Sequence, residues 1–202
     1  MTSSLCPLVL GSSSPRRRDY IAELGVPFVV VPPSIDESAQ RGEVPENYVA
    51  RIAREKLQAV RRDLDVQDFD FCGVVCADTI VALDDKILGK PTSRAHERQM
   101  VSQLCGRTHS VYSAYSLFGR EADVVISRVV STKVTVRAAS PQEIEDYVST
   151  GEGKDKAGAY AIQGKGAFLV ERIEGSYTNV VGLPLCELVL DLKSLGLLER
   201  YP

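Results

Sequence analysis

The chain has 202 residues, 44% of them hydrophobic and 25% charged, with a formal net charge of −3. That composition belongs to a soluble globular protein with room for a substantial core, and it excludes a polycationic coat for nucleic-acid polymers. No apolar run approaches ~18 residues, which excludes a membrane-spanning helix.

The opening MTSSLCPLVLGSSSP has no basic n-region, and its apolar stretch is too short for a secretory signal, so a cytoplasmic protein is expected. Residues 8–11 (LVLG) read as a short buried strand. Ser14 then supplies an N-cap and Pro15 a first helical position, and a helix runs to Leu24 before Gly25 stops it. A strand over 28–31 is broken by Pro32 and Pro33, and an acidic loop with Asp36 and Glu37 follows. A second helix is predicted over 45–64, then a polar linker, then a strongly apolar strand over 74–83 that returns through 87–88 as a hairpin. The pattern continues with a helix over 93–104 and two long strands over 110–118 and 122–138. A helix after Ser140, a glycine-rich segment over 158–166, a strand over 167–173 and a helix over 184–195 complete it. Crossovers mixed with hairpins predict one α/β domain over 1–202, built on a mixed sheet with helices on its faces.

Five cysteines, at 6, 72, 76, 105 and 186, are odd in number and scattered, which suits reduced thiols. With only His96 and His109 as imidazoles, neither a structural zinc site nor a histidine-activated nucleophile is expected.

Several charges stand where local rules disfavour them. Arg16, Arg17 and Arg18 occupy the first turn of the first helix, where the helix dipole makes a cation less favourable by about 0.3–1 kcal/mol. The other Ser-Pro helix start, Ser140-Pro141, is followed by Glu143, Glu145 and Asp146 and forms a capping box, as the dipole favours. The anomalous start reads either as arginines paired outward with surface carboxylates or as a polyanion cradle of Ser12, Ser14, Arg16 and Arg17. On the second helix, Val49, Ile52, Ala53, Leu57 and Val60 form an apolar stripe with Lys56 at its centre. That lysine either snorkels out along its stem or needs a buried anion. Asp78 interrupts the strand VVCADTIVAL, either satisfied by backbone N–H groups at a bulge or serving as a metal ligand or general base; Thr79 faces the other way. Lys90 is presented on a stiff segment before Pro91. Gly164-Lys165-Gly166 lacks the spacing of a P-loop, and its glycines are expected to let backbone approach a ligand. Cations together with Asp78, Glu37 or Asp36 as metal-binding acids describe phosphoryl chemistry on a nucleotide-like phosphate ester.

The ordered set SSSPRR (12–17), IDES (35–38), YVARIAREK (48–56), ADTIV (77–81), LGKP (88–91), DKAGAYAIQG (155–164) and GSYTNVVGLPL (175–185) resembles the Maf family of nucleoside triphosphate pyrophosphatases. The resemblance covers almost the whole chain. It implies an elongated mixed α/β fold with a deep cleft between two lobes, related to the inosine triphosphatases. It also implies hydrolysis of a nucleoside triphosphate to monophosphate and pyrophosphate with a divalent metal, magnesium or manganese, and often a homodimer. Carried over, Asp78 is the catalytic carboxylate that activates water or holds metal. Arg16, Thr79 and Gln163 tune substrate choice, and Ser12, Arg17, Glu37, Lys56 and Lys90 form the phosphate- and metal-binding shell. Gln163 is similar to the branch acting on dTTP and UTP, whereas the 7-methyl-GTP branch has an acidic residue there. The family is also associated with inhibition of septum formation, so a nucleotide-binding regulator with little catalysis is the reading from another class. The chain departs from common family spelling at Gly11, often alanine, and at Cys76, often glycine.

Overall fold

A computed structural model describes residues 6–199. Strand β1 (Leu8–Gly11) leads through helix α1 (Pro15–Glu23) to β2 (Phe28–Val30), and α2 (Pro45–Val66) crosses back to β3 (Gly73–Leu83). Both crossovers are helical, so β2, β1 and β3 are parallel and β1 lies between the other two. The chain then turns to hairpins. β4 (Lys86–Leu88) folds back on β3, α3 (Arg94–Leu104) intervenes, and β5 (Thr108–Gly119) and β6 (Val124–Val136) form a long antiparallel pair. Helix α4 (Pro141–Ser149), strand β7 (Val170–Glu174), the short α5 (Tyr177–Val181) and α6 (Leu185–Ser194) complete the order. The result is a seven-stranded mixed sheet, β2-β1-β3-β5-β6-β7, with β4 attached to β3. This is the mixed α/β architecture expected from the pattern of the sequence. No helix among the described residues is long and apolar enough to cross a membrane.

Two differences from the expected elements lie in the last third of the chain. The strand predicted from residue 167 begins only at Val170, because Gly164–Leu169 forms a 3-10 turn. Helix α5 falls in a stretch read as a connection. At five residues it is too short to announce itself by periodicity.

Strand alternation assigns β3's side chains to two cores. Val74, Cys76 and Ile80 pack toward the apolar stripe of α2, where Val49, Ile52, Ala53, Leu57 and Val60 are all buried. Val75 and Ala77 face the opposite layer, with Ile21 and Leu24 at α1 and Leu188 and Leu192 of α6. A third cluster joins Val81, Val111 and Val134 to α3 and α4.

Gly11 and Cys76 are directly opposite in the β1–β3 register. A Cβ on Gly11 would lie 2.1 Å from Cys76 Sγ and 3.1 Å from Val60 Cγ2. The two departures from family spelling are therefore one exchange of volume between neighbouring strands. Gly11→Ala is expected to cost about 1–3 kcal/mol by overpacking, and distinctly less in a Cys76→Gly background. Urea unfolding of the four combinations measures that coupling; strictly additive costs would contradict it.

His109 is buried on β5 with Nε2 2.8 Å from the Tyr160 hydroxyl, and burial pulls its pKa from 6.5 to about 4. The unfolded chain then binds more protons between those values. The contribution of neutral His109 is present above the unfolded pKa and is lost as pH falls toward the folded one. In His109→Gln the loss of unfolding free energy between about pH 7 and about pH 4 should be smaller than in the parent, as measured by urea titration at both pH values.

Candidate active site

Strand β3 has one continuous neighbour and one interrupted one. On one side β5 pairs with it from Gly73 to Ala82. On the other, β1 stops opposite Cys76 and β4 starts opposite Val81, so residues 77–80 have an open edge. A cavity of about 810 Å³ opens there. Its walls include Ser12, Ser14, Arg16, Arg17, Glu37, Lys56, Asp78, Thr79, Lys90 and Gln163, so residues dispersed over 150 positions of sequence converge on one space.

Asp78 is on the α2 side of β3 and only 7% exposed. Its Oδ1 accepts from Lys56 Nζ at 2.8 Å, and the same ammonium lies 2.9 Å from Glu37 Oε1. The backbone runs through Asp78 in unbroken register with β5, so no bulge explains the carboxylate. Lys56, 7% exposed, does not snorkel: its buried anion is Asp78, and the half-exposed Glu37 meets it from the solvent side. Tyr48, two turns earlier on α2, donates its hydroxyl to the Glu37 carbonyl at 2.8 Å and ties the acidic loop down. Asp36 accepts the Ser38 N–H and is held below the usual carboxylate range by Ser38, so of the two acids it is Glu37 that reaches Lys56.

Thr79 is on the opposite side of β3, beside α1. Arg17 reaches across to it through a buried guanidinium. Nε donates to the Gly182 carbonyl (2.8 Å), one terminal nitrogen donates to Ala77 O (2.8 Å) and Ser12 Oγ (3.3 Å), and the other donates to Thr79 Oγ1 (3.0 Å). Four of the five guanidinium donors are therefore spent on protein oxygens, leaving one for a ligand. The Ala77 carbonyl is one that the missing strand would have satisfied. Arg17 thus closes the open edge rather than presenting a free fork, while Arg16 lines the cavity and forms no salt bridge among the described residues. Arg18 is exposed and near Asp19.

The start of α1 remains uncapped. Ser14 has cap dihedrals, but its hydroxyl accepts no helix N–H, and the first turn contains no acid. Ser12 Oγ instead accepts from Ser14 N at 3.2 Å. At α4 the capping box forms in full: Ser140 Oγ accepts from Glu143 N, and Glu143 accepts from Ser140 N at 2.8 Å. The first-turn amides of α1 therefore keep their partial positive charge for something outside the helix.

Lys90 is exposed, lines the cavity and forms no ion pair among the described residues. Gln163 is exposed, and its side-chain amide bonds to no described residue. Of the glycine-rich segment that follows, Gly164 lines the cavity, while Lys165 N and Gly166 N donate to the two carboxylate oxygens of Glu152 at 2.8 and 2.7 Å.

Sequence reasoning missed three parts of this site. The Gly182 carbonyl accepts from Arg17 and lies 3.1 Å from Thr79 Oγ1. Ser113 bonds Thr79 at 2.8 Å and donates to Asn179 O. Glu152 holds the segment after Gln163. Only the motif GSYTNVVGLPL pointed at the first two: Gly182 has φ +130°, which an L side chain rarely adopts.

A family profile described as Maf-like protein matches residues 7–195. The chain is 45% identical over 191 residues to a protein of Geobacter sulfurreducens named dTTP/UTP pyrophosphatase, covering 95% of this chain and 97% of that one. A protein of the same name from Myxococcus xanthus is 48% identical over 190 residues, covering 94% and 93%. One from Dictyoglomus thermophilum is 44% identical over 191 residues, covering 94% and 96%. With fold, motif order and near-complete coverage in agreement, the chain belongs to the Maf family.

Proposed function

We propose that this protein hydrolyses dTTP and UTP to the monophosphate and pyrophosphate. The observation that carries the reading is the Asp78–Lys56–Glu37 cluster, built on a buried Asp78–Lys56 pair, lining one cavity together with the uncapped, arginine-bearing start of α1. The names of the relatives point to the same reaction. In this reading water attacks the α-phosphorus and gives its proton to Asp78. Oδ1 is fixed by Lys56, which leaves Oδ2 to accept. The new bond is from water oxygen to the α-phosphorus, and the bond that breaks runs from the α-phosphorus to the bridging oxygen, which leaves with pyrophosphate. Arg16, Lys90 and the first-turn amides of α1 meet the charge gathered on that leaving group.

Asp78 and Glu37 also fit a divalent metal, magnesium or manganese. Two hard carboxylates converge within 3 Å of one ammonium on the cavity wall, and no group of three or more histidine, cysteine or acidic residues surrounds a common point among the described residues. Such a donor set suits an ion that takes one or two protein carboxylates and completes its shell with substrate phosphate and water. When bound, the metal supplies charge neutralisation for the phosphate oxygens. The reading extends to a cytoplasmic, homodimeric enzyme with one catalytic domain per chain, which rests on the family resemblance.

The test is phosphate-product analysis of the purified protein with magnesium or manganese and a panel of nucleoside triphosphates. Pyrophosphate should come from dTTP and UTP. Asp78→Asn should lower kcat by about a hundredfold or more while thermal melting still reports a folded protein. Full activity in that variant would remove Asp78 from the chemistry. Tight triphosphate binding without turnover in the parent would turn the protein into a nucleotide-binding regulator.

In this reading Gln163, which lines the cavity, reads the pyrimidine edge, since an amide offers both a donor and an acceptor. Gln163→Glu should therefore reduce kcat/KM for UTP by about tenfold or more relative to 7-methyl-GTP. An unchanged ratio would take the specificity role away from this residue.

A further inference from the structure

The segment that carries Gln163 has no regular strand or helix to hold it. It runs from a 3-10 turn at Ala157–Ala159 to another at Gly164–Leu169, yet it lines the cavity at the rim. A side chain that discriminates between bases must be held to about 0.5 Å, so something other than secondary structure must fix it.

A side chain of α4 and one from the turn after it reach the segment. Upstream of Gln163, Ala161 N donates to the Tyr147 hydroxyl at 3.1 Å. Downstream, Glu152 accepts from Lys165 N and Gly166 N with separate oxygens, at 2.8 and 2.7 Å. Successive backbone N–H groups around a glycine with positive φ make an anion nest, and the anion that fills this one is the protein's own carboxylate. Gly164 has φ +75°, and a Cβ there would lie 2.3 Å from Glu152 Oε1. A Cβ on Gly166 would lie 2.3 Å from Ala161 O and 2.9 Å from the Tyr147 hydroxyl. Gly164 and Gly166 are thus accounted for by the closeness of this clamp. Glu152 is itself anchored: its carbonyl accepts from Lys156 Nζ, which also bonds Asp155, and its N–H donates to Thr150 Oγ1.

We infer that Glu152 is the positioning residue for base selection, acting through Gln163. The inference rests on the reading of Gln163 given above. Glu152 fixes the backbone on one side of Gln163 and Tyr147 fixes it on the other, which leaves only the free amide to meet the base. Charge-assisted bonds of this kind are roughly twice as strong as neutral ones, so a carboxylate serves better here than a hydroxyl or an amide.

The experiment is a double-mutant cycle of Glu152→Ala and Gln163→Ala. It is read as KM and kcat for UTP and dTTP, and as the inhibition constant of inorganic tripolyphosphate, which has no base. Glu152→Ala should raise KM for UTP by about tenfold, leave kcat within about twofold and leave tripolyphosphate inhibition unchanged. In the Gln163→Ala background it should add nothing further. Glu152→Gln, which keeps one acceptor for the two N–H groups, should give an intermediate KM and serves if the alanine variant fails to fold. The proposal is overturned if the Glu152 effect persists in full without Gln163. It is also overturned if tripolyphosphate binding weakens as much as UTP binding, or if Glu152→Gln matches the parent. If Gln163→Ala alone leaves KM for both nucleotides unchanged, the base-reading assignment falls and takes this proposal with it.

Discussion

Everything at the cavity follows from the interrupted edge of β3. A central strand with an open stretch at residues 77–80 exposes unpaired backbone in the middle of a sheet, where such groups must be satisfied. It also lets side chains of both faces reach one space. On the α2 face the reachable residue is Asp78, and on the α1 face it is Thr79. Each polar residue has a cation from the helix packed over it, Lys56 for the first and Arg17 for the second. The two pairs are not equivalent. Lys56 binds side-chain carboxylates that keep free oxygens, whereas Arg17 binds carbonyls and hydroxyls that have little capacity left. One pair is equipped for chemistry and the other holds the frame.

The buried lysine shows how the frame and the chemistry depend on each other. An uncompensated ammonium in an apolar stripe would cost several kcal/mol, and the same is true of a lone carboxylate on β3. Together they are tolerated, and Glu37 makes the pair a triad with a surplus negative charge at the solvent end. Because Glu37 comes from a loop, its placement needs the Tyr48 hydroxyl on the Glu37 carbonyl. Cys76, next but one to Asp78 on the same face, lies buried with its thiol pushed up to about 12, chiefly by desolvation, so it stays a neutral packing group beside the ion pair.

What could be read from the sequence were the conflicts with local rules. Lys56 stood at the centre of an apolar stripe, Asp78 stood inside a strand, and three arginines stood at a helix start whose counterpart at Ser140 obeyed the dipole. Each conflict is resolved in the structure by a partner distant in sequence, and partners of that kind leave no local trace. Nothing in residues 12–18 reports that Arg17 turns inward to Ala77 and Gly182 while Arg16 does not. Both sit in the same turn, and only the packing of β3 and the loop after α5 separates them. Glu152 was invisible for the same reason. A glutamate after a helix is ordinary, and its partners are backbone groups more than ten residues away. The glycine-rich segment was read as a close approach of backbone to a ligand, and no local pattern signalled that this carboxylate also approaches it.

The charges of the cavity also bear on how a protein of net charge −3 can hold a triphosphate. Counting its ionised side chains would mislead, because Lys56 is already engaged by two carboxylates and Lys156 by Asp155. What remains for an anion is Arg16, Lys90, one donor of Arg17 and the uncapped amides of α1, which line the same cavity as Asp78 and Glu37. A bare polyanion would gain from the first group and be repelled by the second. A triphosphate that brings a divalent cation against the carboxylates gains from both. Two acids on the wall of such a cavity would disfavour phosphate alone, and a divalent metal, if held there, would be held beside Asp78, the carboxylate whose orientation the core fixes.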